Sequence, residues 1–250
     1  MDLLYGRHPV LEALRARRRR VHRVLIAQGA HGLDDLLAEA RSRKVPVEVV
    51  ERRRLEPEHH QGVVAEVDPF PYTRLQDLLV QPKPLLLVLD SLQDPQNFGT
   101  LLRTAQACGV DGVVVPEHRS VGVTPAVASA SAGAVEHLRI ARETNLSRAI
   151  QALKASNVWV YGLAVDAQQA YWQIDWTGAC AVVVGSEGPG LGRLVRESCD
   201  ELVNIPMVRG AVQSLNASVA GSLVLYEAYR QRASDARPPH TLSATPRPGF

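Results

Sequence analysis

Three short stretches of this 250-residue chain place polar side chains where an apolar run gives way to small residues. The first is Asp94-Pro95-Gln96-Asn97-Phe98-Gly99-Thr100, followed by Arg103-Thr104-Ala105. Asn97 is a residue type that caps helices, and Arg103 stands six residues on in an otherwise apolar, small-residue stretch. The second is Gly185-Ser186-Glu187-Gly188-Pro189-Gly190-Leu191-Gly192, directly after Cys180-Ala181-Val182-Val183-Val184. A glycine-rich turn after a strand usually presents backbone N–H groups to an anion. Glu187 would repel that anion, so the loop is either only a turn or a cradle for something other than phosphate. The third runs from Ile205-Pro206-Met207 to Ser214-Leu215-Asn216. There Ser214 or Asn216 can cap the last helix, whose Ala217, Ser218, Ala220, Gly221 and Ser222 admit a close neighbouring backbone. Taken singly, the stretches read as a cap, a turn and a tight packing face. Together they put polar groups after successive strands, where open parallel sheets bind ligands.

The elements that must position these residues follow from hydrophobic patterning. Strands are expected at 85–89, 112–115, 137–140, 158–163, 181–184 and 202–205, and helices at 97–108, 124–131, 146–155, 191–198 and 215–232. Such alternation predicts a parallel sheet with helices on both faces. Residues 1–68 read as a separate small α/β module, with a helix from Pro9, strands at 21–27, 45–50 and 62–67, and an amphipathic helix over 33–44. Residues 69–84, with Pro69, Pro71, Pro82 and Pro84 around a short helix at 73–80, read as a linker. The domain of 85–232 follows, and the Pro-, Ser- and Ala-rich tail of 233–250 is expected to be disordered.

Composition narrows the class. With 46% hydrophobic residues the chain can fill packed cores, and its apolar runs fall far short of a membrane span of roughly 20 residues. The first residues lack a basic-then-apolar signal pattern. Cys108, Cys180 and Cys199 are too few and too scattered for a disulfide framework or zinc site, which points to a reducing cytoplasm. His59-His60 and His118 have no metal-ligand neighbours, so no metal is expected. Net charge is only +2, but seven arginines precede residue 24, including Arg17-Arg18-Arg19-Arg20. That run reads either as a phosphate-attracting patch or as a solvated helix end. No dinucleotide or P-loop fingerprint occurs, which argues against a nucleotide-dependent oxidoreductase.

The three stretches resemble, in order, the three motifs of the SpoU (TrmH) family of RNA ribose 2′-O-methyltransferases, over about residues 85–232. Residues 1–68 are similar to the substrate-binding module of the RlmB-like branch, through Gly6-Arg7-His8-Pro9-Val10-Leu11-Glu12-Ala13-Leu14 and His60-Gln61-Gly62-Val63-Val64-Ala65. The resemblance implies an α/β fold of SPOUT type: a mostly parallel sheet with a C-terminal trefoil knot, plus a small N-terminal α/β RNA-substrate-binding domain. Also implied are a homodimer, S-adenosyl-L-methionine as cofactor, and methylation of a guanosine ribose in bacterial 23S rRNA, the large-subunit rRNA. Carried over by position, Asn97, Arg103, Glu187, Ser214 and Asn216 would form the active site, and Gly185, Ile205 and Leu215 would contact the cofactor. Val208 to Gln213 is one residue longer than the usual family spacing, which could shift the last contact to Ser214. A tRNA ribose methyltransferase and a non-catalytic RNA-binding protein of the same fold are the rival readings. A guanidinium is too basic to remove a hydroxyl proton at neutral pH, so Arg103 is expected to bind the adjacent phosphate instead.

Overall fold

The chain opens with a strand too short to show a hydrophobic period, and sequence patterning misses it: β1 (Asp2–Tyr5) is held by antiparallel pairing with a strand some 60 residues on. The computed structural model describes residues 1–55, 60–118, 120–208, 210 and 214–235. After β1 come α1 (Arg7–Ala16), β2 (Val21–Ala27), α2 (Asp34–Ser42), β3 (Val47–Val50) and β4 (Val63–Val67). They form a four-stranded sheet in the order β1-β4-β2-β3, with only β2 and β3 parallel.

The second sheet draws on β5 (Leu85–Leu89), β6 (Gly112–Pro116), β7 (Ile140–Glu143), β8 (Trp159–Leu163), β9 (Gln169–Ala170), β10 (Cys180–Val184) and β11 (Glu201–Asn204). The helices between them are α3 (Pro95–Ala107), α4 (Pro125–Ala130), α5 (Leu146–Ala155) and α6 (Arg193–Ser198), and α7 (Ala217–Asp235) follows the last strand. All its pairings are parallel, in the order β7-β6-β5-β10-β8-β11-β9. Side chains alternate between the faces of a strand. Leu85, Leu87 and Leu89 of β5 accordingly join one core with residues of α3 and α7, while Leu86 and Val88 join another with residues of α5. This is why the central strands are apolar at every position: both of their faces are covered.

One expected element differs. The strand expected at 137–140 is a 3₁₀ turn over Ala134–His137, and the edge strand begins only at Ile140. The segment 69–84 is packed against the sheet, with Phe70, Leu75 and Leu78 buried and Thr73 bridged to Ala141. The long last helix ends at Asp235, and the remainder of the expected disordered tail lies outside the described residues.

The two sheets share one apolar cluster, and a buried ion pair joins them. Arg19 donates to both carboxylate oxygens of Glu136, at 3.0 Å from Nε to Oε2, with the two side chains 3% and 1% exposed. Arg18 donates to the Leu138 and Pro71 carbonyls and lies over the Phe70 ring. Burial pushes the Arg18 guanidinium below its ordinary pKa, against the opposing pull of Glu136. Half of the arginine run therefore holds the first module onto the second and cannot serve as a free phosphate patch.

Candidate functional site

From β5 the chain winds outward to β6 and β7, then returns to the other side of β5 for β8 and the later strands. The winding reverses between β5 and β10, and at the carboxyl ends of such a pair a crevice opens. Asp90 follows β5 and Gly185 follows β10. Asp90 is buried, its N–H donates to the Val184 carbonyl at 2.8 Å, and its Oδ2 accepts from Gly192 N at 2.7 Å. This carboxylate, absent from the sequence-based candidates, ties the end of β5 to the far side of the glycine-rich loop.

The loop closes on itself. Ser186 and Gly190 exchange two backbone hydrogen bonds of 3.1 Å, with Gly188 and Gly190 at φ values of 85° and 70°. A Cβ on Gly185 would stand 2.3 Å from the Gly190 carbonyl carbon, so only glycine fits where the two backbones touch. The fold of the loop thus accounts for Gly185, Gly188 and Gly190, and Glu187 is carried at its tip.

Asp94, not Asn97, caps α3: its Oδ1 accepts from Gln96 N at 3.0 Å and its Oδ2 from Asn97 N at 3.4 Å. Asn97 sits a few residues inside the helix start, and its amide is free to reach across the chain. It donates from Nδ2 to Glu187 Oε1. Asn216 Nδ2 donates to Asn97 Oδ1 at 3.0 Å and to Glu187 Oε1 at 3.2 Å. Asn216 Oδ1 in turn caps α7, accepting from Ser218 N at 2.9 Å, Val219 N at 3.3 Å and the Ser218 hydroxyl at 2.7 Å. The network unites side chains from all three stretches. Ser218, read from sequence only as a small packing residue, belongs to it; its position two residues past a capping Asn was the available signal.

Beside the network lies a cleft of about 210 Å³, and Gly185, Glu187, Ile205, Ser214 and Leu215 all line it. Among the described residues its titratable lining is Asp166, Glu187 and Arg196. Arg196 grips Asp166 with two bonds of 3.0 and 2.9 Å, which lowers the pKa of the carboxyl and raises that of the guanidinium. With that pair neutral overall, Glu187 leaves the described lining of the cleft a net negative charge, suited to a cationic ligand. Asn204, just before Ile205, has a buried Oδ1 without a hydrogen-bond partner among the described residues. Ser214 makes no hydrogen bond to a described residue, and the extra residue expected between Met207 and Ser214 falls largely outside the described residues. Arg103 is not joined to the network. It is exposed on α3, six residues from Asn97, a separation of about 9 Å along the axis and 240° around it.

Among the described residues no group of His, Cys, Asp and Glu could hold a metal ion, and no helix is long and apolar enough to cross a membrane.

The fold and the meeting of these three segments define a class. The model of the SpoU rRNA methylase family matches residues 84–226, and that of the RNA 2′-O ribose methyltransferase substrate-binding domain matches residues 3–73. The chain belongs to the SpoU family. It is 40% identical over 240 residues to YacO of Bacillus subtilis, named as a TrmH family tRNA/rRNA methyltransferase, covering 92% of this chain and 96% of that one. The SpoU methyltransferase AviRb of Streptomyces viridochromogenes, solved in complex with the cofactor AdoMet, superposes with a TM-score of 0.81 at 26% identity, over 93% of this chain and 90% of that one. An AdoMet-bound rRNA methyltransferase from Sinorhizobium meliloti gives a TM-score of 0.74 at 27% identity, over 92% and 87% of the two chains.

Proposed function

We propose that this protein transfers a methyl group from S-adenosyl-L-methionine to the ribose 2′-hydroxyl of a guanosine in 23S rRNA, in the cytoplasm and as a homodimer. The observation that carries this reading is the Asn97–Glu187–Asn216 network, which gathers one polar residue from each of three distant segments at the edge of a cleft whose described lining is net negative. Membership of the family and the AdoMet-bound relatives support the cofactor, and the substrate-binding module over residues 3–73 supports an RNA acceptor.

Gly185, Ile205, Leu215 and Ser214 would hold the cofactor, with Glu187 contributing the charge that suits its cationic sulfur. When bound, that group supplies an electrophilic methyl carbon. The remaining work falls to the chain. Glu187 uses Oε1 to brace Asn97 and Asn216, which fixes the loop tip; its Oε2 makes no bond to a described residue and is available to the acceptor ribose. Arg103, exposed and unpaired with any described residue, would grip the phosphate beside the acceptor and ease loss of the hydroxyl proton to water. Ser214 and Asn216 place the third segment against the first two. Holding the 2′-oxygen in line behind the methyl carbon supplies much of the rate.

Support for the dimer comes from α7. One face packs Ala217, Gly221, Val224, Leu225 and Ala228 inward, while Val219, Leu223 and Tyr226 form an apolar stripe 47%, 40% and 63% exposed. A stripe of that kind on a helix already buried on its other face fits a subunit interface. The C-terminal knot implied by the family resemblance would involve the passage from β11 to α7, part of which lies outside the described residues, and is included in the proposal.

The test is direct. Unmodified large-subunit RNA and transfer RNA are incubated with labelled S-adenosylmethionine, and the ribose that becomes resistant to alkaline cleavage is mapped. A resistant guanosine in the large-subunit RNA is expected. Modification confined to transfer RNA would overturn the substrate, and no transfer to either would overturn the activity.

A further inference from the structure

The loop Ser186–Pro189 has two sides. One faces the 210 Å³ cleft; the other faces a second cleft of about 380 Å³, bounded by Ser91, Gln93 and Asp94 from the segment after β5. Ser186, Glu187 and Pro189 line both, so the loop is a partition between them, and Glu187 stands on it. A two-substrate transfer needs this layout: two binding spaces that meet at the reacting group. The proposed function assigns the first space to the methyl donor. The second then falls to the acceptor.

The chemistry of its lining narrows the occupant. The volume lies within the range of pockets that take small ligands. Among the described residues no Lys, Arg or His lines it. Instead it offers hydrogen-bond acceptors: the Gln93 amide oxygen, the Asp94 carboxylate and the Glu187 carboxylate. Asp94 directs one lone pair of each oxygen to the start of α3, which leaves further acceptor capacity on both. Gln93 makes no hydrogen bond to a described residue. Pro189 adds an exposed apolar edge against which a flat ring can lie. Acceptors beside an apolar edge suit the N–H donors of an unstacked base, and sequence-specific RNA recognition works on unstacked bases. Guanine, with adjacent ring N–H and amino donors, matches best.

We propose that the cleft between Gln93-Asp94 and the Ser186–Pro189 loop receives the base of the acceptor nucleotide, with Gln93 and Asp94 as the residues that read it. The inference rests on the proposed methyltransferase activity and assigns that reaction's base specificity to Gln93 and Asp94, neither of them among the site residues carried over from the family. Ser91, at φ 63°, turns the chain out of β5 and into this wall.

The experiment compares the full-length protein with Gln93→Ala and Asp94→Asn. Asn remains an effective helix cap, so the second change removes the carboxylate charge while keeping α3 capped. Calorimetry with S-adenosylmethionine verifies that each variant keeps an intact donor site; its Kd is expected within about twofold of wild type. KM for the large-subunit RNA is expected to rise about three- to tenfold for each, the loss of one hydrogen bond to a base. Transcripts carrying each of the other three bases at the mapped position supply the decisive readout. The wild type should discriminate among them, and both variants should flatten the ranking. Wild-type KM and an unchanged base ranking in both variants would overturn the proposal, as would a rise in KM with the ranking intact. Failure of the wild type to methylate any RNA would instead remove the activity on which the inference rests.

Discussion

Glu136→Gln should loosen the attachment of the first module more than any surface change. Arg19 and Glu136 are 3% and 1% exposed, and the substitution leaves a guanidinium in that space without its carboxylate. Removing one partner of a buried ion pair costs about 3–5 kcal/mol. The Asp68 carbonyl at 3.2 Å and the Asp2 carboxylate at 4.0 Å remain to Arg19, so the lower end, about 3 kcal/mol, is expected. For a chain of this length each kcal/mol lowers the melting temperature by about 2–4 °C, which predicts a drop of about 6–12 °C. Thermal melts followed by circular dichroism, with urea titrations in parallel, measure it. The double change Arg19→Met with Glu136→Leu removes both charges and should recover most of the loss, since apolar replacement of a whole buried pair is often neutral or better. If Glu136→Gln melts within about 2 °C of wild type, or if the double variant is as unstable as the single, the pair does not clamp the two sheets together.

Gly185→Ala should abolish S-adenosylmethionine binding in calorimetry while far-ultraviolet dichroism stays native, because the new methyl must displace the Gly190 backbone 2.3 Å away; micromolar binding by a folded variant would contradict the close approach. Arg103→Lys keeps the charge and loses the two-pronged grip, so kcat on RNA should fall about tenfold or more, and wild-type turnover would end the phosphate-binding role. Tyr226→Glu places a charge in the exposed stripe of α7 and should convert a dimer to monomer in light scattering; an unchanged mass would move the interface elsewhere. Burial and nearby Asp200 push the Cys199 thiol up to about 12. At pH 8 only about one thiol in ten thousand is then ionised, so iodoacetamide should label Cys199 far more slowly than a free thiol, with labelling rising as pH increases toward that value. Fast labelling at pH 8 would show the site open to water.

The central strands were legible because their chemistry is local. Leu85 to Leu89 and Cys180 to Val184 are buried on both faces and therefore apolar at every position. The helix starts were legible only in part. The Asn216 cap follows from a good capping residue before a run of helix formers, but Asn97 resembles a cap just as well, and Asp94 three residues earlier holds that place. Asn97 then spends its amide on Glu187, 90 residues away, a choice no local pattern records. The strand β1 was illegible for the same reason: four residues carry no period, and pairing with β4 makes them a strand.

Charge shows the division most sharply. The sequence by itself determined which residues are ionisable, where apolar runs alternate with helices, and which three stretches carry polar groups at strand ends, because composition and periodicity are written in neighbours. Arg18 and Arg19 look like their neighbours Arg17 and Arg20 in that record. Only the tertiary structure decided that the inner two are spent on Leu138, Pro71 and Glu136, that Ser218 joins Asn97 and Asn216, and that one loop separates two clefts. Burial, ion pairing and shared walls depend on what the fold brings alongside from a hundred residues away, and distance along the chain says nothing about that.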